Sequence, residues 1–582
     1  MNIYKKLFLA MTLMGTCLPM NAQTTSLAQA FKGTGNGNPI SGNVFCADPT
    51  ALDYNGRLYV YGSNDHQEFL SNGKKGDNSY GTIKSIVVFS TDDMVNWTFH
   101  GTIDAATLCA GWHPSQWYRG FMNSWAPSVT WRTHKRSKQD EFFLYFANTS
   151  HGVGVLKAKS PLGPWSSPLE EALIHKDTPG ALQQSANFDP GVVVDDNGDG
   201  WLTFGGLDYD AGGTDLLPGN TRIVKLSTGM VSTSGQAIEI PAPYHFEANE
   251  LNMIGGKYVF TYCTNWADRK DSDWNAYKAA HGISASKPNR ATMCYMVSDN
   301  PTDPGSWVYK GEYGPHTSAP NNHSHLHKFQ GNYYHIYHDC SLLESMKSKS
   351  AVDNSAGTYR SISVNKVIVN EQTATINKVA INSTGVDAIK NLNPYELQQA
   401  ETMATSAGIE YEDFTNITPN TSLNKLGNEV SENLQVQMHD GSWIQLRKVD
   451  FGTAGAAKLM LRAKGEGTIE IRLARTGAKP SATVNISSVS MSDHTIDVDA
   501  TEFQGVKTIY IVATSATDLF LDAWQFTEAD PSGIQTIENR QPVQTQTYDL
   551  SGRRLSDHHQ HRGIVIEQYT DENGVKHSRK RF

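Results

Sequence analysis

Cysteine is scarce: the 582 residues hold 6, and beyond Cys17 the rest (Cys46, Cys109, Cys263, Cys294 and Cys340) are scattered over the first two thirds of the chain. That odd set admits two disulfides at most, and its spacing matches no zinc motif. Positive stripes are also missing. Lys and Arg number 49 against 59 Asp and Glu, a net charge of −10, with no run in the main body able to neutralise phosphates. No nucleic-acid partner is therefore expected. After Leu18 no apolar stretch reaches the roughly 18 residues that span a bilayer. Long amphipathic helical patterns hardly occur between about residues 40 and 380, which leaves an all-β reading.

What is present begins with MNIYKKLFLAMTLMGTCLPMNAQ, a basic end, an apolar stretch and a small residue at Ala22. This is the pattern of a signal peptide over 1–22, so a secreted, periplasmic or cell-surface protein is expected. The length suggests roughly two to four domains, and 24 Tyr and 12 Trp supply flat, half-polar rings suited to sugar faces. Five pairs of strand-like runs follow one another, from RLYVYGS with SIVVFSTDDMVNWTFHG to NYYHIYHD with TYRSISVNKVIV. Their spacing is roughly 55 to 85 residues, and radially repeated sheets of this kind predict a five-bladed β-propeller over 38–385. Residues 393–528 read as a β-sandwich of jelly-roll type, and 529–582 as a linker with a short C-terminal β tail.

Counting back from the turn after the first strand of each blade aligns a set of polar residues. Asp48 precedes Gly56 by eight, Asp189 precedes Gly198 by nine, Glu247 precedes Gly255 by eight and His323 precedes Gly331 by eight. Equivalent positions on innermost strands converge on a propeller's axis. Three acids and a histidine are thus expected to share one pocket, with Trp125 of NSWAPSVTW as an aromatic wall. Taken singly, an Asp before Pro, as in Asp48-Pro49 and Asp189-Pro190, is also a common turn device. Together, gathered carboxylates repel, so one keeps its proton while another stays ionised. Glycoside hydrolysis needs that division, and inverting enzymes hold the pair roughly 6.5 to 9.5 Å apart to admit water.

The successive runs FCADPTALDYNGRLYVYGS, NSWAPSV, NFDPGVVVDDNGDGWLTFGG, HFEANELNMIGGKYVFTYC and NNHSHLHKFQGNYYHIYHD resemble the motifs of glycoside hydrolase family 43. The resemblance implies that Asp48 is the general base, Glu247 the general acid, and Asp189 the residue that orients the acid and modulates its pKa. It matches His323 to a histidine holding water or a cation in the channel, and Arg360 to a substrate-contacting arginine. Where the family often has a small residue and an aromatic, Asn249-Glu250 follow Glu247, and Glu250 either contacts a leaving sugar or faces solvent.

The second region resembles carbohydrate-binding module family 6 through QAE, GIEYE, DGSWIQL and LDAWQF. A structural calcium at Glu401 and Asp522 is implied, although Gln399 stands where a second acid is common. Tyr411, Trp443 and Trp524 are candidate stacking rings, or core. In GWHPSQWYRGFMNSW, Trp117 and Tyr118 are candidate substrate contacts on a rim loop. DDNGDG, residues 195–200, opens like a calcium loop, but Gly206 stands where the bidentate Glu is needed, so a hairpin turn is expected. His323, His325 and His327 alternate along one strand and so share one face. The tail resembles the sorting tails of exported Bacteroidetes proteins.

The expectation is a monomeric inverting exo-glycosidase acting on plant cell-wall polysaccharide, an α-L-arabinofuranosidase on arabinoxylan. No cofactor is required for its chemistry, and calcium is expected only as a structural ion. A β-xylosidase or arabinan hydrolase with the same acids is the nearest alternative, and a non-catalytic carbohydrate-binding surface propeller the one from another class.

Overall fold

The computed structural model describes residues 26–113, 118–184, 186–207, 215–317, 319–417 and 434–530, and strands between 544 and 581. The segment 1–22 and Trp117 lie outside the described residues. The protein is largely β and built in several parts. Its first part is five successive antiparallel sheets, each a meander of neighbouring strands. They open with Ala47–Tyr54, Trp125–Thr133, Gly191–Val194, His245–Ile254 and Ser324–Phe329 in turn. These opening strands neighbour one another in order, and the strand that opens the fifth sheet also neighbours the one that opens the first. Their contact is close at Gly191, where a Cβ would meet the Glu250 Cα at 2.6 Å and the Asn249 carbonyl oxygen at 2.9 Å. Gly191→Ala must push two opening strands apart, and a loss of about 1–3 kcal/mol is expected in urea denaturation.

Strands alternate between the apolar layers that separate adjacent sheets. Phe142, Leu144 and Phe146 of the second sheet pack toward Tyr61 and Val88 of the first, while Phe143 and Tyr145 pack toward Leu202 and Phe204 of the third. The expected hairpin at 195–200 is present: the Asp195 carboxylate accepts from the backbone N–H groups of Asn197 and Asp199, both at 2.9 Å. All five cysteines beyond Cys17 are free thiols and buried. No helix among the described residues is long and apolar enough to cross a membrane.

The second region pairs Leu434–Met438, Trp443–Asp450, Ala456–Leu473, Pro480–Asp497 and Val506–Glu528 in one antiparallel sheet system. It is fused to the first part. Thr402–Met403 pairs with Trp97–Ile103 and so adds a fifth strand to the first sheet. One apolar cluster runs without a break from Val60 and Phe99 through Tyr411 and Phe414 to Trp524. Residues 544–581 supply a separate four-stranded sheet.

Candidate active site

The first, second and fourth sheets begin with the same irregularity. Pairing runs from Ala47–Ser63 to Thr50–Tyr61, from Trp125–Ala147 to Ser128–Tyr145, and from Glu247–Cys263 to Glu250–Thr261, skipping two residues each time. The first skipped residue is left-handed: φ is 47° at Asp48, 38° at Ala126 and 63° at Ala248. Asp189, just ahead of the third sheet, has φ 49°. A non-glycine residue held there costs about 1–3 kcal/mol and persists only where its surroundings impose it. Those surroundings are visible. Ser63 Oγ donates to Asp48 Oδ2 at 2.7 Å and accepts the Ala126 N–H at 2.8 Å, and the Ala248 N–H donates to Asp189 Oδ2 at 2.8 Å.

This backbone corrects the equal-offset alignment by one residue. Asp48, Ala126, Asp189 and Ala248 share the left-handed position, whereas Glu247 stands one residue earlier, level with Ala47 and Trp125. The turns explain the slip. Asn55-Gly56 and Gly255-Gly256 are both pairs with positive φ, so Gly56 corresponds to Gly256 and not to Gly255. The acids still meet, because the bulge turns neighbouring side chains toward the same space.

That space is a pocket of about 240 Å³ lined by Asp48, Asp189, Glu247, Trp125, His323 and Arg360. Tyr80, Phe188 and Phe246 also line it, none of which was singled out from sequence. Phe188 and Phe246 directly precede Asp189 and Glu247, and only the bulge reveals that such neighbours share a pocket. Tyr80 is fixed through Trp125, whose Nε1–H donates to its carbonyl at 3.0 Å.

The three acids differ in environment. Burial raises the Asp48 carboxyl, but the Arg360 charge, together with His338 and His323 beside it, outweighs burial and holds the group far below the usual carboxylate range. Arg360 Nη1 donates to Asp48 Oδ1 at 2.7 Å. His338 Nδ1 accepts the Asp48 backbone N–H at 3.0 Å and lies 3.3 Å from the carboxylate. Arg360 is the largest of the lowering partners. Glu247 is pushed well up, first by burial and then by the charges of Asp189 and Asp48. Asp189 is pushed up too, by burial and by Asp48 and Glu250, while the Ala248 N–H opposes the shift. The two form a coupled pair that retains a proton at neutral pH. Glu247 Oε1 is buried with no partner among the described residues, whereas Asp189 accepts a backbone N–H, so the proton belongs on Glu247. His323 lies 3.8 Å from Asp48 and 4.0 Å from Asp189, and burial lowers it to about 3, leaving a neutral ring.

The Asn249-Glu250 departure has a structural reason that corrects both earlier options for Glu250. Asn249 Nδ2 donates to the carbonyls of Asp189 at 2.9 Å and Gly205 at 2.7 Å, tying the fourth sheet to the third. Glu250 is wholly buried, 3.1 Å from His325 Nδ1 and 3.4 Å from the Ser128 hydroxyl. It touches neither solvent nor the pocket. His325 in turn reaches His327 at 3.3 Å, on the shared face expected for alternating residues.

Other candidates fall elsewhere. Arg360 lines the pocket, yet its Nε and Nη2 both donate to Asp65 at 2.9 Å and its Nη1 to Asp48, so it serves the carboxylates before any sugar. Asp65 was hidden by its place at a helix start, where an acid reads as capping. Tyr118 is not among the pocket-lining residues and faces Lys176, whose Nζ is 4.3 Å from its ring centroid. Trp443 is buried, not an exposed platform: Leu27, Ala28 and Ala30 pack against its cluster, and its Nε1–H donates to the Ala28 carbonyl at 3.0 Å. Tyr411 and Trp524 are buried as well. Glu401 and Asp522 lie on adjoining segments, the Ala400 N–H donating to the Asp522 carbonyl at 2.8 Å. Among the described residues no group of three or more His, Cys, Asp or Glu side chains gathers to hold a metal, there or at His323.

The model of the family described as glycosyl hydrolases family 43 matches residues 36–350, and that of carbohydrate binding module family 6 matches 399–528. An arabinoxylan arabinofuranohydrolase of Paenibacillus polymyxa is 35% identical over 539 residues, which is 90% of this chain and 79% of the relative. The enzyme of that name from Bacillus subtilis (strain 168) is 34% identical over 528 residues, 87% of this chain and 95% of its own. A crystal structure of a family 43 arabinoxylan arabinofuranohydrolase from Bacillus subtilis, in complex with cellotetraose, matches with a TM-score of 0.72 at 32% identity. The match covers 86% of this chain and 99% of that one. The chain belongs to glycosyl hydrolase family 43, an O-glycosyl hydrolase whose catalytic region is followed by a family 6 carbohydrate-binding module.

Proposed function

We propose that this enzyme removes single α-L-arabinofuranosyl side chains from arabinoxylan by one displacement with inversion. The observation that carries the reading is the presence of a depressed Asp48 and a raised Glu247 in one pocket of about 240 Å³. Pockets for drug-sized ligands run to roughly 300–1,000 Å³, so this one suits a single sugar ring and not a length of polymer. Asp48 takes a proton from water as the water attacks the anomeric carbon, and Glu247 gives its proton to the departing glycosidic oxygen. Asp189 keeps the Glu247 proton in place through its charge. The arabinoxylan assignment is supported by the names of the two relatives at 35% and 34% identity.

The same reading includes a five-bladed β-propeller over 38–385, supported by the neighbouring opening strands, a jelly-roll sandwich over 393–528 and a tail over 529–582. It also includes export after cleavage of residues 1–22, to the periplasm or cell surface of a Bacteroidetes-type cell. Product analysis on arabinoxylan, arabinan and xylan side by side tests the substrate. Free arabinose from arabinoxylan, with the xylan chain left intact, is expected; xylose release would overturn it. Asp189→Asn removes a charge that raises Glu247. The alkaline limb of kcat/KM is expected to move to lower pH, measured on an aryl arabinofuranoside, and an unmoved limb would remove Asp189 from this role.

A further inference from the structure

The helix Asp65–Ser71 follows the second strand of the first sheet and carries Asp65, on which Arg360 is anchored by its backbone N–H, Nε and Nη2, each at 2.9 Å. Where Asp65 stands therefore decides where Nη1 meets Asp48. The helix is gripped near both ends by the family 6 region. At its start the Tyr411 ring lies flat on His66, with centroids 4.4 Å apart and planes at 17°, and Asn64 Nδ2 donates to the Tyr411 hydroxyl at 3.3 Å. Just beyond its end, Lys74 Nζ reaches Glu410 at 2.6 Å and Glu412 at 3.2 Å. Glu410 and Asp413 close a capping box on the short helix Tyr411–Asp413, which locks these contacts together. Burial lowers His66 to about 3, so two neutral rings stack across the working pH range.

Tethering an enzyme to its polymer requires only a linker and a binding face. It does not require a ring and two carboxylates on a helix one residue from an active-site ion pair. We propose that the second module holds the base in register: Tyr411, with Glu410 and Glu412, clasps the helix Asp65–Ser71 so that Asp65 presents Arg360 to Asp48. This rests on Asp48 as the general base. Tyr411 touches no reacting atom and is a positioning residue, linked to Asp48 through Asn64 and His66, Asp65 and Arg360.

The test uses the full chain and a soluble aryl arabinofuranoside, on which polymer capture plays no part. Tyr411→Ala, Tyr411→Phe and Lys74→Met are compared with Lys479→Met, an exposed change elsewhere on the module. A displacement of about 1 Å remote from the chemistry can lower rates about 100-fold. Tyr411→Ala is expected to lower kcat by about 10-fold with KM within about twofold, and to move the acidic limb of kcat/KM upward as Asp48 loses support. Tyr411→Phe keeps the stack and should retain more than about half of kcat, and Lys74→Met should fall between the two. A lowered melting temperature with kcat and the acidic limb unmoved in Tyr411→Ala and Lys74→Met would overturn the proposal. So would a loss confined to KM. If Tyr411→Ala does not fold, Lys74→Met decides by the same readouts. Failure of the base assignment shows separately, as activity surviving in Asp48→Asn.

Discussion

Glu247→Gln is expected to lose about 1,000-fold in kcat on arabinoxylan, the scale of general acid catalysis, and far less on an aryl glycoside whose leaving group needs no proton. Asp48→Asn should fail on both, because attack by water needs the base whatever departs. The contrast follows from environment. Glu247 is a buried carboxyl among like charges and holds its proton, while Asp48 faces a guanidinium at 2.7 Å and has none to give. The stability sign follows as well. A carboxyl whose folded pKa stands above its ordinary 4.5 destabilises the fold progressively as pH rises past that value. Glu247→Gln should therefore melt at or above the wild-type temperature at pH 7, while activity collapses. Equal rescue of both variants by a good leaving group would overturn the division of roles.

Arg360→Met is expected to produce the largest loss of stability. It strands Asp48 and Asp65 as buried carboxylates without their partner, a change that costs about 3–5 kcal/mol. Asp48 has a depressed folded pKa, so the stability it contributes is present above its ordinary 3.8 and is lost as pH falls toward the folded value. The gap between variant and wild type should be full at pH 7 and narrow below about pH 4. Urea denaturation at pH 7 and pH 3 measures it. In whatever folded fraction remains, the acidic limb of activity should rise, since the base is no longer held ionised. A gap independent of pH would mean that packing, not charge, explains the loss.

The acids were legible in the sequence because each sits in a short local pattern ahead of a strand and a glycine turn. Their equivalence was not. A bulge inserts residues without a local signature, and the adjacent Gly255 and Gly256 give two equally good anchors for a count. Glu250 shows a second limit. Nothing local distinguishes a solvent-facing glutamate from a buried one that meets His325 and Ser128, because its partners come from two other sheets. The rings of the second region, Tyr411, Trp443 and Trp524, were ambiguous for the same reason. Leu27, Ala28 and Ala30 pack against the cluster of Trp443, and His66 and Phe99 against Tyr411, and both contacts join positions hundreds of residues apart. The five sheet repeats were clear because strand runs and turns are local.

The most direct measurement on the central claim is proton NMR of the first sugar released, recorded before mutarotation. With Asp48 activating water opposite Glu247, the α-linked arabinofuranosyl group should appear first as the β anomer. A first-formed α anomer would mean retention through a covalent intermediate, and would contradict the roles given to both acids.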